Sequence, residues 1–269
     1  MDKQALKRGG RVLLPSLFTL GNMACGFYAL LASVQGEFVA SATAIIAGMV
    51  FDALDGRVAR LVHGESMFGV EFDSMADFLT FGIAPAHMMY AFILKDYGAW
   101  GYPVAFFYAL CGGLRLARFN AVAHDTGGSK THFSGLPIPG GAGLLASFVL
   151  LYQIIEEGRP ARTWKLLMDQ IPSLYAFAPG LVLAIALCMV STIPYPAFKQ
   201  AGVRPRSLTG LLLIVGGGLF LFSFPTNAIF LVFFFYFLLG PVSWVARFVG
   251  GLVGWTPPPP GQQDYGEHL

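Results

Sequence analysis

Apolar stretches of about 20 residues, the length that spans a bilayer core, recur along almost the whole chain with short polar breaks between them. They predict helical spans at Leu13–Val34, Phe38–Val62, Ser66–Leu94, Trp100–Ala121, Leu136–Ile155, Leu174–Ile193, Ser207–Phe224 and Asn227–Val249. The second and third contain aspartates and still read as helices, because the apolar pattern continues across the charges. The expected fold is all-α, a polytopic membrane helical bundle of about eight transmembrane helices. Residues 1–12 read as a basic N-terminal segment, 13–250 as the transmembrane domain, and 251–269 as a disordered tail opened by Pro257–Pro260.

Composition agrees. With 55% hydrophobic and 12% charged residues and a mean hydropathy of +0.63, the chain has too little polar surface for a water-soluble protein of this size. Lys3, Lys7, Arg8, Arg11, Arg57, Arg60, Arg115, Arg118, Lys130, Lys199, Arg204, Arg206 and Arg247 fall on the side of the termini, against Lys95, Arg159, Arg162 and Lys165 opposite. The positive-inside rule therefore places both termini in the cytoplasm, and with no organelle-targeting stretch the expected location is a prokaryotic cytoplasmic membrane. Glu156–Gln170 holds three of the four opposing charges and is expected to lie as an amphipathic interfacial piece. The first apolar run is too long for a signal peptide and closes on no A-x-A pattern. Cys25, Cys111 and Cys188 lie inside spans without metal-site spacing and read as buried small hydrophobes. There is no solenoid repeat, no GxGxxG or Walker loop, and no basic patch of the nucleic-acid type, so no nucleic-acid partner is expected.

The chemistry concentrates in four aspartates: Asp52 and Asp55 in MVFDALDGRVAR, Asp73 and Asp77 in FGVEFDSMADFLTFG. An ionised carboxylate at mid-bilayer depth costs about 2.5–3.5 kcal/mol, so a group of them must face cations, water or ligand. Residues three or four apart share a helix face, which makes each pair a vertical couple. Counted from Gly64, Asp55 is nine residues back and Asp73 nine forward, while Asp52 is twelve back and Asp77 thirteen forward. At ~1.5 Å per residue, an antiparallel hairpin turning at His63–Glu65 brings the carboxylates level, two by two. Clustered negative charge in a low dielectric needs neutralising; hard divalent cations, Mg²⁺ or Mn²⁺, suit carboxylate oxygens and leave positions for phosphate. A dinuclear site follows. Gly56, Ala59 and Gly69 keep the neighbourhood small enough for a phosphorylated ligand, with Gly69 also suited to helix packing. Arg60 can pair with phosphate. His87 and His124 read as packing or surface histidines.

Asp52-x-x-Asp55-Gly56-x-x-Ala59-Arg60, eight residues, then Gly69-x-x-x-Asp73-x-x-x-Asp77 resembles the signature of the CDP-alcohol phosphatidyltransferases at every position. Within that family the chain is similar to the phosphatidylserine synthases in LPSLFTLGNMACGF, FDSMADFLTFGIAPA, RLARFN and GLPIPGGAG, although Gly140-Gly141 departs from an Ala-rich version. The resemblance covers most of residues 13–145. It implies a membrane-embedded, commonly homodimeric transferase, opening to the cytoplasm, that moves the phosphatidyl group of CDP-diacylglycerol to L-serine and releases CMP.

By resemblance, Asp52, Asp55, Asp73 and Asp77 hold two metal ions, and Asp77 also takes the serine proton as the catalytic base. Gly56, Arg60 and Ser66 contact the CDP-lipid, with Thr19 and Asn22 as further nucleotide candidates. A carboxylate-bearing acceptor needs a cation, and Arg115, Arg118 and Asn120 are the candidates; arginines at a helix end also anchor to lipid phosphates. Glycerol 3-phosphate or inositol phosphate acceptors should need a denser basic pocket. A divalent-cation transporter should need a polar pathway beyond the acids, and the opposite side offers no second polar cluster.

Overall fold

The computed structural model describes residues 3–62, 67–126, 132–156, 176–196 and 223–253. Helix α1 (Lys3–Val34) turns into α2 (Phe38–Val62) through Gly36, whose φ of 80° lies in the left-handed region that glycine enters without a Cβ penalty. The Glu37 amide closes the turn on the Ala32 carbonyl at 2.9 Å, and Ser41 Oγ ties the hairpin together by donating to the Ala29 carbonyl at 2.8 Å. α1 begins at Lys3, so the basic N-terminal segment continues the first span as helix.

The third span is built in three pieces. α3 (Met67–Asp77) passes into a π-helical turn at Phe78–Ile83, and α4 (Ala84–Phe92) resumes the regular helix. The Ala84 amide donates to the Leu79 carbonyl, the wide i→i−5 spacing of a π turn. Thr80, pushed inward by that turn, donates from Oγ1 to the Asn22 carbonyl at 2.9 Å. Small residues make room: a Cβ on Gly26 would stand 2.8 Å from Thr80 Cα, and one on Gly48 3.0 Å from Asn22 Oδ1.

A 3₁₀ segment at Leu94–Trp100, with Gly98 at φ 60°, leads into α5 (Gly101–Thr126). The two flanking helical stretches, Met67–Phe92 and Leu94–Val122, are bent by 92° from one another. α6 (Ile138–Glu156), α7 (Ala178–Val190) and α8 (Pro225–Val253) complete the described helices. Among the described residues three helices, at Ser16–Val34, Phe38–Ala59 and Pro225–Arg247, are long and apolar enough to cross a bilayer alone, and Ile138–Gln153 and Ala178–Val190 are shorter apolar helices. α7 stops short of the expected Leu174–Ile193 span, because Ser191 is already extended (ψ 163°) and the residue before Pro194 disfavours helix. α8 runs to Val253, just past the expected start of the tail. The seventh expected span apart from Ser223 and Phe224, the interfacial piece apart from Glu156 at the end of α6, and the turn at His63–Glu65 fall outside the described residues.

Two three-residue strands, β1 (His132–Ser134) and β2 (Pro194–Pro196), pair antiparallel, an element the apolar pattern does not signal. They bring the connections after α5 and α7 to one end of the bundle, as the alternating topology requires. At the other end Tyr97 donates its hydroxyl to the Ala176 carbonyl at 3.0 Å. Phe81, Met88, Met89, Tyr108, Leu144 and Phe148 form the interior of the bundle. Leu61, Trp100, Phe235 and Trp244 are exposed over more than half their surface. A large apolar exterior around satisfied helices is the design for lipid contact. The chain is an integral membrane protein with an all-helical fold, the strand pair aside.

Candidate active site

α1, α2 and α3 deliver the acids to one place. Gly21 on α1 admits the Phe51 ring, which a Cβ would meet at 2.9 Å, and the next residue on α2 is Asp52. One carboxylate oxygen from each of Asp52, Asp55 and Asp73 falls within 4.8 Å of the others. The inner couple, Asp55 with Asp73, therefore meets as the residue count from the turn predicts, and Asp52 joins it.

Partners on α1 fix the orientation of two acids. Thr19 Oγ1 donates to Asp55 Oδ2 at 3.2 Å, and Asn22 Nδ2 donates to Asp77 Oδ1 at 2.9 Å. Thr19 and Asn22, expected at the nucleotide, thus reach the carboxylates directly. Asp77 stands outside the three-carboxylate group, held by Asn22, beside the π turn. Asp73 Oδ1 is buried and accepts no hydrogen bond from the chain. Three converging hard oxygen donors with one left unsatisfied fit a divalent cation.

The three serine-binding candidates separate. Arg115 is 7% exposed, and its Nε is buried without an acceptor. Arg118 turns to α7, donating from Nη1 to the Val190 carbonyl at 2.9 Å and from Nη2 to the Ser191 carbonyl at 3.1 Å. Those are carbonyls at a helix C-terminus, where a cation is favoured. Asn120 Nδ2 donates to Ser74 Oγ at 2.9 Å, next door to Asp73. Gly56 and Ala59 sit on α2 below Asp55, and Gly69 on α3 one turn before Asp73, all partly exposed. Arg60 belongs to α2, but its side chain, like that of His124, lies outside the described residues, as does Ser66 altogether. His87 packs through Nδ1 against Ser33 Oγ at 2.7 Å, far along α1 from the acids. Cys25, Cys111 and Cys188 are free thiols, the last two buried.

Thr80 and the π turn escape a reading by motif. The only signal was one hydroxyl inside FLTFGI, an otherwise apolar run.

A family model described as CDP-alcohol phosphatidyltransferase matches residues 12–175. The chain belongs to that family. It is 31% identical over 236 residues to a CDP-diacylglycerol–serine O-phosphatidyltransferase of Helicobacter pylori, covering 87% of this chain and 91% of the relative. A protein of the same name from Mycobacterium bovis is 32% identical over 206 residues, 76% of this chain and 68% of its own length. An archaetidylserine synthase of Methanothermobacter thermautotrophicus is 33% identical over 196 residues, 71% and 72% respectively. Membership in a transferase family, rather than a channel or carrier family, decides between the enzyme and transporter readings of the acids.

Proposed function

We propose that this protein is a phosphatidylserine synthase, transferring the phosphatidyl group of CDP-diacylglycerol to the hydroxyl of L-serine and releasing CMP. The observation that carries the reading is the similarity, over nearly the full length of both chains, to relatives named for serine transfer, in a chain whose Asp52, Asp55 and Asp73 converge within 4.8 Å. In this reading Asp52, Asp55 and Asp73 hold two divalent cations, Mg²⁺ or Mn²⁺, with Asp77 completing one shell. When bound, these ions offset pyrophosphate charge and make the phosphorus more electrophilic.

The chain's own residues do the rest. Gly56 leaves space for the diphosphate, Arg60 pairs with it, and Ser66 and Thr19 border the nucleotide. Asn22 holds Asp77 by one oxygen, which leaves the other to accept the serine proton as the serine oxygen bonds to phosphorus and the bond to the CMP oxygen breaks. Arg115 receives the serine carboxylate, since a buried guanidinium offers the stronger, charge-assisted bonds. Arg118 braces α7, and Asn120 braces α3 through Ser74. The active site and termini face the cytoplasm of a prokaryotic cell, and two copies associate in the membrane.

Purified protein given CDP-diacylglycerol, serine and Mn²⁺ or Mg²⁺ should release CMP and form phosphatidylserine in equal amounts. Glycerol 3-phosphate or inositol phosphate outperforming serine would overturn the acceptor assignment, and metal flux without CMP would overturn the reaction.

A further inference from the structure

The π-helical turn follows Asp77 directly, and its cause lies just beyond it. Pro85 has no N–H, so the Phe81 carbonyl four residues before it has no donor from a regular α-helix, and the proline ring would crowd that carbonyl. The chain widens there, and the buried Tyr108 hydroxyl of α5 donates to the freed Phe81 oxygen at 3.2 Å. The neighbouring Thr80 is fully buried and meets two other helices. Its hydroxyl donates to the Asn22 carbonyl of α1 at 2.9 Å, and its methyl lies where a Cβ on Gly48 of α2 would come within 2.6 Å. Gly26, one turn after Asn22, forms the other wall: a Cβ there would stand 3.0 Å from Thr80 Cβ. A β-branched side chain with little χ1 freedom is thus wedged between two glycines.

The carbonyl it grips belongs to the residue that holds Asp77. Asn22 is fully buried; its Nδ2 donates to Asp77 Oδ1 at 2.9 Å, while its Oδ1 lies against Gly48 without a donor. One bond alone leaves that amide dependent on where its backbone sits. The Asn22 carbonyl, inside α1, already has its helical donor four residues on, so the Thr80 hydroxyl is not needed to satisfy it. What the added bond does is fix α1 against the turn that follows Asp77. We propose that Thr80 is a positioning residue: by tying the backbone of Asn22 to the π turn, it closes a ring through Asn22 and Asp77 that holds the Asp77 carboxylate where it takes the acceptor's proton. The inference rests on the base role proposed for Asp77 and deepens it. It depends on the acceptor's hydroxyl and not on the acceptor being serine.

The test is CMP release at saturating CDP-diacylglycerol and serine, read beside thermal unfolding in detergent. Thr80→Val keeps the shape and the methyl and removes the donor. Its kcat should fall about tenfold, as expected when a reacting group is slightly misplaced, with both KM values within about twofold and the melting temperature close to wild type. Thr80→Ser keeps the hydroxyl and loses the methyl, so the melting temperature should drop while kcat stays within about threefold of wild type. Asn22→Ala should lower kcat at least as far as Thr80→Val, and adding Thr80→Val to it should cost less than about a further twofold, because both act through one carboxylate. Unchanged kcat in Thr80→Val overturns the inference. So does a kcat that follows the melting temperature across the two Thr80 variants, or effects that multiply in full in the double variant. Wild-type protein that releases CMP with glycerol 3-phosphate or inositol phosphate and not with serine overturns the acceptor assignment alone, and the same series run with that acceptor then decides on Thr80. No CMP with any of the three overturns the reaction, and the inference with it.

Discussion

The acidic and the cationic sides of the site are assembled in opposite ways. All four aspartates lie between residues 52 and 77 on neighbouring helices, and helix geometry alone brings them together. The cationic side draws on distant parts of the chain: Arg118 finds its acceptors 72 and 73 residues away on α7, and Asn120 reaches Ser74, 46 residues back on α3. On the proposed reading, donor chemistry is written in one short local motif, whereas acceptor recognition draws on how α5 packs against α3 and α7. A family that keeps one reaction and varies the alcohol would need that division, with the second half free to change while the first stays put.

Four substitutions probe this contrast, in falling order of effect. Asp73→Asn should reduce CMP release to the detection limit, and isothermal titration should show divalent-cation binding lost with it. Thermal stability of the metal-free protein should hold or rise, because a charge repelled by its neighbours has been removed. A destabilised, still active variant would break the acidic side of the comparison. Asp77→Asn keeps the side-chain shape and removes the proton acceptor, so kcat should fall about 10²–10⁴-fold while the KM for CDP-diacylglycerol stays near wild type. Activity within a few-fold of wild type would remove Asp77 from the base role.

The smallest and most discriminating effect sets Arg115→Ala against Arg118→Ala. The first should raise the serine KM about 10- to 100-fold, as expected for a charge-assisted pair. The second should leave that KM within about twofold and instead lower stability by about 1–3 kcal/mol, because two carbonyls at the end of α7 lose their donors. Thermal unfolding in detergent beside serine titration separates them. Equal KM effects would show that the two arginines act together on the acceptor.

What could be read ahead of the structure follows the same line. The apolar periodicity located the helices among the described residues, and the residue count from Gly64 brought Asp55 level with Asp73, because both depend on regular helix geometry over short distances. Arg115, Arg118 and Asn120 looked alike in RLARFN, since nothing local reveals that one guanidinium is buried, one caps another helix and the amide reaches Ser74. Asn22 was assigned by analogy to the nucleotide, while its amide donates to Asp77. α7 ended early because a backbone effect, the extended conformation before Pro194, outweighed an apolar run.

The widened turn at Phe78–Ile83 acts as a phase shifter. By accommodating an extra residue it rotates all that follows by about 100° relative to a continuous α-helix. Asp73 and Asp77 can thereby point at the ligand side while Met88, Met89 and Phe92 point into the bundle interior, two directions that one uninterrupted rod would not supply from these positions. Excising a single residue from this stretch would leave the composition of the span almost untouched and put its two halves out of frame.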